Sequence, residues 1–420
     1  MKKLILLLVV LISVFNAKSQ ILKKVADRAK NRAENNANNK VNNAVDKTVD
    51  EAMDPKIDGK KEPGKENDAA IKNVESTSGP ASLKTYSKFD FVPGEKIIGF
   101  EDFSTGNIGD FPAGWNTNGS GEIVTIEGIS GRWLWISSPG VFLPEFTDKY
   151  PEDFTFEFDL MHGIPTTGGS FQFVMAELLN FEVLHGWNTA PHTFKVGFYN
   201  TSSGQKEGIV STEIRKNSSS QSANQKSTEL LSDKYNPVHV SIWRQKERVR
   251  VYVNEEKMWD IPKAISAEAK LNAIFFPILA ADENIKHYIG NLRFAVGAPD
   301  TRKKMLEQNK WVTHGILFDV NSANIKPESY GTLKEMANVL KENPDLNVKI
   351  IGHTDADGSD AANLELSKKR AASVKVALAK EFNIDESRME TGGKGESEPI
   401  DKNDTQAGKA NNRRVEFIKL

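Results

Sequence analysis

Phenylalanines at 154, 156 and 158 alternate with Thr155 and Glu157, and valines at 249, 251 and 253 alternate with Arg250 and Tyr252. Only an extended strand puts every second side chain on one face, so these runs are strands with one packed side. Ile242-Trp243 lies on another such run, and Gly, Pro and Asn punctuate the intervals. Residues 86–300 therefore read as an antiparallel β-sandwich.

After residue 310 the period changes. Gly315 to Phe318 is a short apolar run, followed by a helical pattern from about Lys326 to Lys341. Val348–Ile351 is a second strand, Asn363–Lys380 a second helix, and Arg388–Thr391 and Arg414–Lys419 are further strands. The order is βαβαββ-like, an α/β unit over residues 311–420. The expected fold class is thus multidomain, with a β-sandwich followed by an α/β domain.

The second helix carries the sharpest clue. On a wheel of 100° per residue, Asn363, Leu366, Ser367, Arg370, Ala371, Val374, Ala377 and Leu378 share one face, while Lys368, Lys369 and Lys375 point elsewhere. Arg370 thus falls within the packed stripe, and an arginine there needs a counter-charge. Asp355, just past the apolar strand and Gly352-His353-Thr354, is the candidate. Two readings stand side by side: a structural Asp355–Arg370 ion pair, or an acid and a base held apart to grip a zwitterion.

Compartment is read from the start of the chain. Lys2 and Lys3, an apolar run from Leu4 to Phe15, and small residues Ala17 and Ser19 before Gln20 make residues 1–19 a secretory signal peptide. That run is shorter than the roughly 20 residues of a spanning helix. Residues 20–54 read as a polar, Asn-rich helix with Val41, Val45, Val49 and Met53 at a four-residue period. Residues 55–85, rich in Lys, Glu, Gly, Pro and Ser, read as a flexible linker. Cysteine is absent, which excludes disulfides, thiolate zinc sites and a lipid-bearing cysteine. A net charge of −2 without a basic tract argues against nucleic acid. An exported periplasmic protein, wall-bound and outer-membrane-associated, with no transmembrane segment in the mature chain, is the expectation.

The block Gly352-His353-Thr354-Asp355-Ala356-Asp357-Gly358, then Asn363 through Ala371, resembles the G-x-T-D-x-x-G…N-x-x-L-S-x-x-R-A signature of the OmpA C-terminal family. Phe318-Asp319, Ser322-Ala323, Ile325-Lys326-Pro327, Gly395-Glu396-Ser397 and Asn412-Arg413-Arg414-Val415-Glu416 agree with it in order. The resemblance implies a non-catalytic domain that binds peptidoglycan at meso-diaminopimelate, whose free end carries an ammonium and a carboxylate on one carbon. By that analogy Asp355 pairs the ammonium and Arg370 takes the carboxylate with its planar fork. Thr354 and Asn363 supply neutral hydrogen bonds, Arg413 a second basic contact, and Asn321 a place on the rim. No cofactor is implied.

The runs Val238–Trp243, Arg248–Asn254 and Ile289–Phe294 are similar to strands of laminin-G or concanavalin-like sandwiches. Trp115, Trp133, Trp135 and Trp187 are candidates to stack on sugars, though core positions suit each. Glu157 and Asp159 share a strand face, as a retaining glycosidase needs. Met161 and His162 stand where a third acid is expected, so outward-facing polar alternation is the better reading. Partners at the sandwich are a glycan or another envelope protein. The rival function is an envelope protein that binds or hydrolyses glycan through residues 86–300. Asp355 to Asp360 has its glycine fourth, not sixth, so it is no EF-hand loop, and no other metal site is expected.

Overall fold

The computed structural model describes residues 89–147, 150–162, 170–179, 189–199, 207–231, 237–281, 285–297 and 300–420. The signal peptide, the Asn-rich helix, the linker and Trp187 lie outside them. All described residues belong to one compact unit, Thr77–Leu420.

Fifteen strands lie among the described residues of the upstream region. They are β1 (Lys96–Glu101), β2 (Trp115–Thr117), β3 (Gly121–Ile126), β4 (Ile129–Ile136), β5 (Gly140–Pro144), β6 (Asp153–His162), β7 (Ser170–Ala176), β8 (His192–Tyr199), β9 (Gly208–Lys216), β10 (Ser219–Thr228), β11 (Val238–Gln245), β12 (Arg248–Val253), β13 (Glu256–Ile261), β14 (Ala273–Ile278) and β15 (His287–Val296). One sheet runs β13-β12-β11-β6-β15-β4-β3, with β1 also on β15; the other runs β10-β9-β8-β7-β14-β5-β2. Every pairing in both is antiparallel.

The phenylalanine alternation builds the shared core. Phe156 and Phe158 of β6 meet Phe173 of β7 at ring distances of 5.5 and 5.9 Å. Phe158 meets Phe276 of β14 edge-on at 5.2 Å. Offset and edge-on ring packing of this kind adds to the burial of the rings. Trp115 is in this packed interior at 7% exposure and stacks on Phe276, and Trp133, outside that cluster, is 2% exposed. They are structural and offer no face to a sugar.

The other face of β6 is not solvated, which corrects the outward-facing reading of Glu157. Thr155 and Glu157 are 0% and 3% exposed. The physical reason is that a second layer covers this face. Phe89 and Phe91 pack edge-on against Tyr252 and Trp243, at 5.4 to 6.1 Å. Gly94 N–H donates to Thr155 Oγ1 at 2.9 Å. Phe89, Phe91 and Tyr252 then share one apolar cluster with Trp311, Leu333, Met336 and Leu340 of the C-terminal region. The chain of Phe89–Gly94 is thus a strap lying between the two regions.

The C-terminal region has a sheet of β16 (Lys310–Thr313), β17 (Val348–His353), β18 (Met389–Gly395) and β19 (Val415–Lys419), in the order β16-β19-β17-β18. Only β17 and β18 are parallel. Its helices are α1 (Thr301–Glu307), α2 (Tyr330–Glu342), α3 (Asp360–Phe382) and α4 (Gln406–Asn412). The first strand is Lys310–Thr313, not Gly315–Phe318. Trp311 stacks on Phe417 of β19 at 5.5 Å, which sets the register. The 315–318 run leaves the sheet because its polar groups are used elsewhere: Leu317 N–H donates to Ser329 Oγ, and Leu317 O accepts from Lys326 N–H. Among the described residues no helix is long and apolar enough to cross a membrane.

Candidate functional site

Strand β17 ends at His353, and the chain turns through Thr354–Ser359 into α3. The turn needs Gly358, whose φ of +103° disfavours a side chain. Ser359 caps α3, its side chain accepting from Ala362 N–H. Gly352 allows strand and helix to touch: a Cβ there would lie 2.3 Å from Ser367 O.

Asn363, in the first turn of α3, holds the loop in shape. Its Nδ2 donates to Asp355 O, Asp357 O and Glu396 Oε2 at 3.3, 3.1 and 2.5 Å. Asn363 is 5% exposed, so this amide is a structural brace. Thr354 N–H donates to Gly395 O, while its hydroxyl is buried without a protein partner among the described residues.

Asp355 is 7% exposed, and its Oδ2 accepts from Arg413 Nη1 at 2.5 Å. Of the two readings of Asp355 and Arg370, the structural ion pair between them is not the one that forms. Arg413, at the end of α4, reaches the carboxylate first and is its structural partner. Arg370 projects from the third turn of α3 toward the first loop of the domain. Its Nε donates to Ser322 O at 2.9 Å, and its guanidinium lies over the Phe318 ring at 4.9 Å. Its two terminal nitrogens find no acceptor, and no carboxylate stands within ion-pair distance, among the described residues. Burial, and then the Arg413 charge, pull the Arg370 guanidinium below its usual range, with Asp355 opposing. Asn321 is exposed with φ +52°, on the loop whose next residue, Ser322, receives Arg370.

Arg370 and Arg413 line a cavity of about 120 Å³ with Phe318, Gly352, His353 and, from β1, Ile97 and Phe100. Arg414, also in the lining, donates to Glu416 Oε1 at 2.9 Å. Burial opposes ionisation of Glu416, but the Lys310 ammonium at 2.8 Å and the hydrogen-bonded Arg414 guanidinium hold its carboxyl well below the usual range. The Arg370 guanidinium, its fork unpaired, thus lies in the cavity lining with Arg413, and Asp355, the carboxylate partner of Arg413, stands beside the cavity and outside that lining. Such an arrangement accepts an anion with two oxygens beside a cation. Sequence reasoning assigned no role to Glu396, Ser322, Phe318 or Phe100. Glu396, Ser322 and Phe318 sit in the ordered blocks quoted above, but their contacts are made across the fold.

Among the described residues no group of three or more His, Cys, Asp or Glu could hold a metal. In the upstream region, Glu157, Asp159, His239 and Arg293 form a closed ionic network. His239 Nδ1 lies 2.7 Å from Asp159, its Nε2 3.4 Å from Glu157, and Arg293 Nε 3.5 Å from Glu157. Burial opposes protonation of His239, yet the hydrogen bonds of Asp159 and Glu157 push it up to about 10. Both carboxylates are therefore engaged by cations.

Residues 317–413 match the model of the OmpA family. Outer membrane porin F of Pseudomonas fluorescens is 45% identical over 101 residues, 24% of this chain and 31% of that protein. Probable lipoprotein YiaD of Escherichia coli K12 is 46% identical over 104 residues, 25% of this chain and 47% of that protein. The chain thus spans less than half the length of these two curated relatives. Among solved structures, the peptidoglycan-associated lipoprotein from Burkholderia pseudomallei matches at 26% identity over 29% of this chain and 98% of that one, with a TM-score of 0.25. Residues 317–413 are an OmpA family domain.

Proposed function

We propose that residues 311–420 hold peptidoglycan by the free end of meso-diaminopimelate, and that the chain is a non-catalytic envelope protein. The observation that carries this reading is the unpaired fork of Arg370 at a cavity beside the Asp355–Arg413 pair. The family match over 317–413 supports it, as do the names of relatives with outer-membrane and lipoprotein assignments. In this reading Arg370 takes the carboxylate bidentately, and Asp355 offers the ammonium its Oδ1, which accepts only a 3.3 Å contact from Asp357 N–H. Arg413 completes the basic side. The buried Thr354 hydroxyl donates to the ligand, while Asn363 braces the loop. Asn321 stays at the rim. Both ligand charges must be desolvated, so binding is weak to moderate and reversible.

The two-sheet region, laminin-G or concanavalin-like in strand pattern, is carried to the wall with the domain. Because Phe89–Gly94 and a shared apolar cluster join them, attachment fixes its position instead of leashing it. The rival reading, glycan hydrolysis through residues 86–300, gains no support from Glu157 and Asp159, which are held by His239 and Arg293.

The test is co-sedimentation of the full chain with purified sacculi, beside Asp355→Ala and Arg370→Ala. Loss of pelleting in both variants, and competition by free diaminopimelate but not by lysine, is expected. Undiminished pelleting of both variants would sink the proposed site.

A further inference from the structure

The cavity at Arg370 and Arg413 is not closed by the OmpA family domain alone. Strand β1 of the upstream sheet forms one wall, through Ile97 and Phe100. The Arg413 guanidinium lies over the Phe100 ring at 5.2 Å, as that of Arg370 lies over Phe318 at 4.9 Å. Of the four arginines that line the cavity, Arg293, Arg370, Arg413 and Arg414, two are therefore each backed by one aromatic ring, Arg370 by Phe318 and Arg413 by Phe100. A ring face attracts a cation and orients its plane, an effect that grows as water is excluded.

The β1 wall is built in, not merely adjacent. Asn411, two residues before Arg413, clasps the backbone of Ile97: Ile97 N–H donates to Asn411 Oδ1 at 2.9 Å, and Asn411 Nδ2 donates to Ile97 O at 2.8 Å. All of these atoms are buried, and the partners stand 314 positions apart in sequence. His314 Nε2 pairs with Asn411 O at 2.9 Å, and Arg293 Nη2 of β15 donates to His314 O at 2.9 Å. Further out, Gln406 Nε2 donates to Ser104 Oγ at 2.6 Å. Helix α4 and its terminal Arg413 are thus located by the upstream sheet.

We infer that the wall-binding site is composite: Phe100 of β1 is a binding-site wall and the positioning residue for Arg413, so the upstream sheet takes part in ligand recognition. This rests on the reading of the site given above. The ligand class is a zwitterionic amino-acid end on an aliphatic arm, with the apolar faces of Phe100 and Phe318 against the arm and the guanidiniums against the carboxylate. Truncating Phe100 frees Arg413 to leave Asp355 and opens one side of the cavity to water.

The experiment uses the full chain and a soluble muropeptide carrying meso-diaminopimelate, with affinity read by calorimetry. Phe100→Ala is expected to weaken binding on the order of tenfold, the scale of one desolvated cation–π contact with its share of wall. Phe100→Tyr, which keeps the ring, restores affinity to within about twofold on the same grounds. Hydrogen exchange on the unaltered chain is expected to show ligand-induced protection at 97–101 as well as at 352–358. A structural role alone would not place protection on β1. If Arg370→Ala binds normally, the reading of the site itself falls. If Arg370→Ala loses binding while Phe100→Ala retains it, or if β1 gains no protection, only the composite site is overturned. Should Phe100→Ala fail to fold, Phe100→Tyr and the exchange measurement still decide.

Discussion

Arg413 Nη1 lies 2.5 Å from Asp355 Oδ2 across 58 positions of sequence, and Arg370, on the helix that follows Asp355, is left without a carboxylate among the described residues. The domain thus keeps its acid neutralised by one arginine and its second arginine available. Removing Arg413 leaves a nearly buried carboxylate without its cation. Arg413→Ala should lower stability by about 2 kcal/mol, since loss of one partner of a partly buried pair leaves the other charge uncompensated. Urea titration checks this. In an Asp355→Asn background the same change should cost less than about 0.5 kcal/mol, as the charge to be compensated is gone. An equal loss in both backgrounds contradicts the pairing.

Gly352 sits where β17 passes beneath α3. A Cβ there would stand 2.3 Å from the backbone oxygen of Ser367, which cannot rotate away. Gly352→Ala should therefore push α3 outward and destabilise by on the order of 2–3 kcal/mol, the range for overpacking. It should also weaken sacculus binding, because Asn363 and Arg370 ride on the same helix. A urea midpoint equal to that of the unaltered chain would count against this helix–strand contact.

The ionic network under the sheet gives stability a pH signature. His239 rises in the folded state to about 10 from an ordinary 6.5, its carboxylate partners outweighing burial. Its contribution is fully present below the unfolded value and is lost as pH climbs through about 10. Glu157 is held below its ordinary value by Arg293 and His239, although burial opposes this. Its contribution is present above the unfolded value and is lost as pH falls through the folded one. The melting-temperature gap between the unaltered chain and His239→Gln should accordingly narrow between pH 8 and 10.5. A gap that stays constant over that window refutes the assignment.

Glu101, beside Phe100 on β1, behaves in the opposite sense. Burial, with a smaller push from Asp102 and against a hydrogen bond from Phe103 N–H, raises its carboxyl to about 7. The fold favours the protonated form, so stability falls as pH rises from the unfolded value through about 7. Glu101→Gln should melt higher than the unaltered chain at pH 8, and no higher at pH 5. Equal melting temperatures at both pH values would show that Glu101 is not desolvated.

Local periodicity made the strands and helices readable. Phe154, Phe156 and Phe158 face the core as their alternation requires, and the α3 wheel places Asn363, Ser367, Ala371, Val374 and Leu378 on the buried side. The 315–318 run misled because apolar content alone cannot show that Ser329 and Lys326 take its backbone bonds. Glu157 misled for a related reason: alternation tells which residues share a face, but not whether another layer covers it.

By itself the sequence determined element types, the ordered blocks of the C-terminal domain, and the need of Arg370 for company, since these depend on neighbours within a few turns of chain. Only the tertiary structure decided which arginine Asp355 takes and which ring backs each guanidinium. It also decided that β1 lines the same cavity. Those choices join residues 58 and 314 positions apart. Charge and geometry select such partners only after the chain has closed, because the energy of an ion pair or a ring contact depends on distance and exclusion of water, and neither is written in spacing.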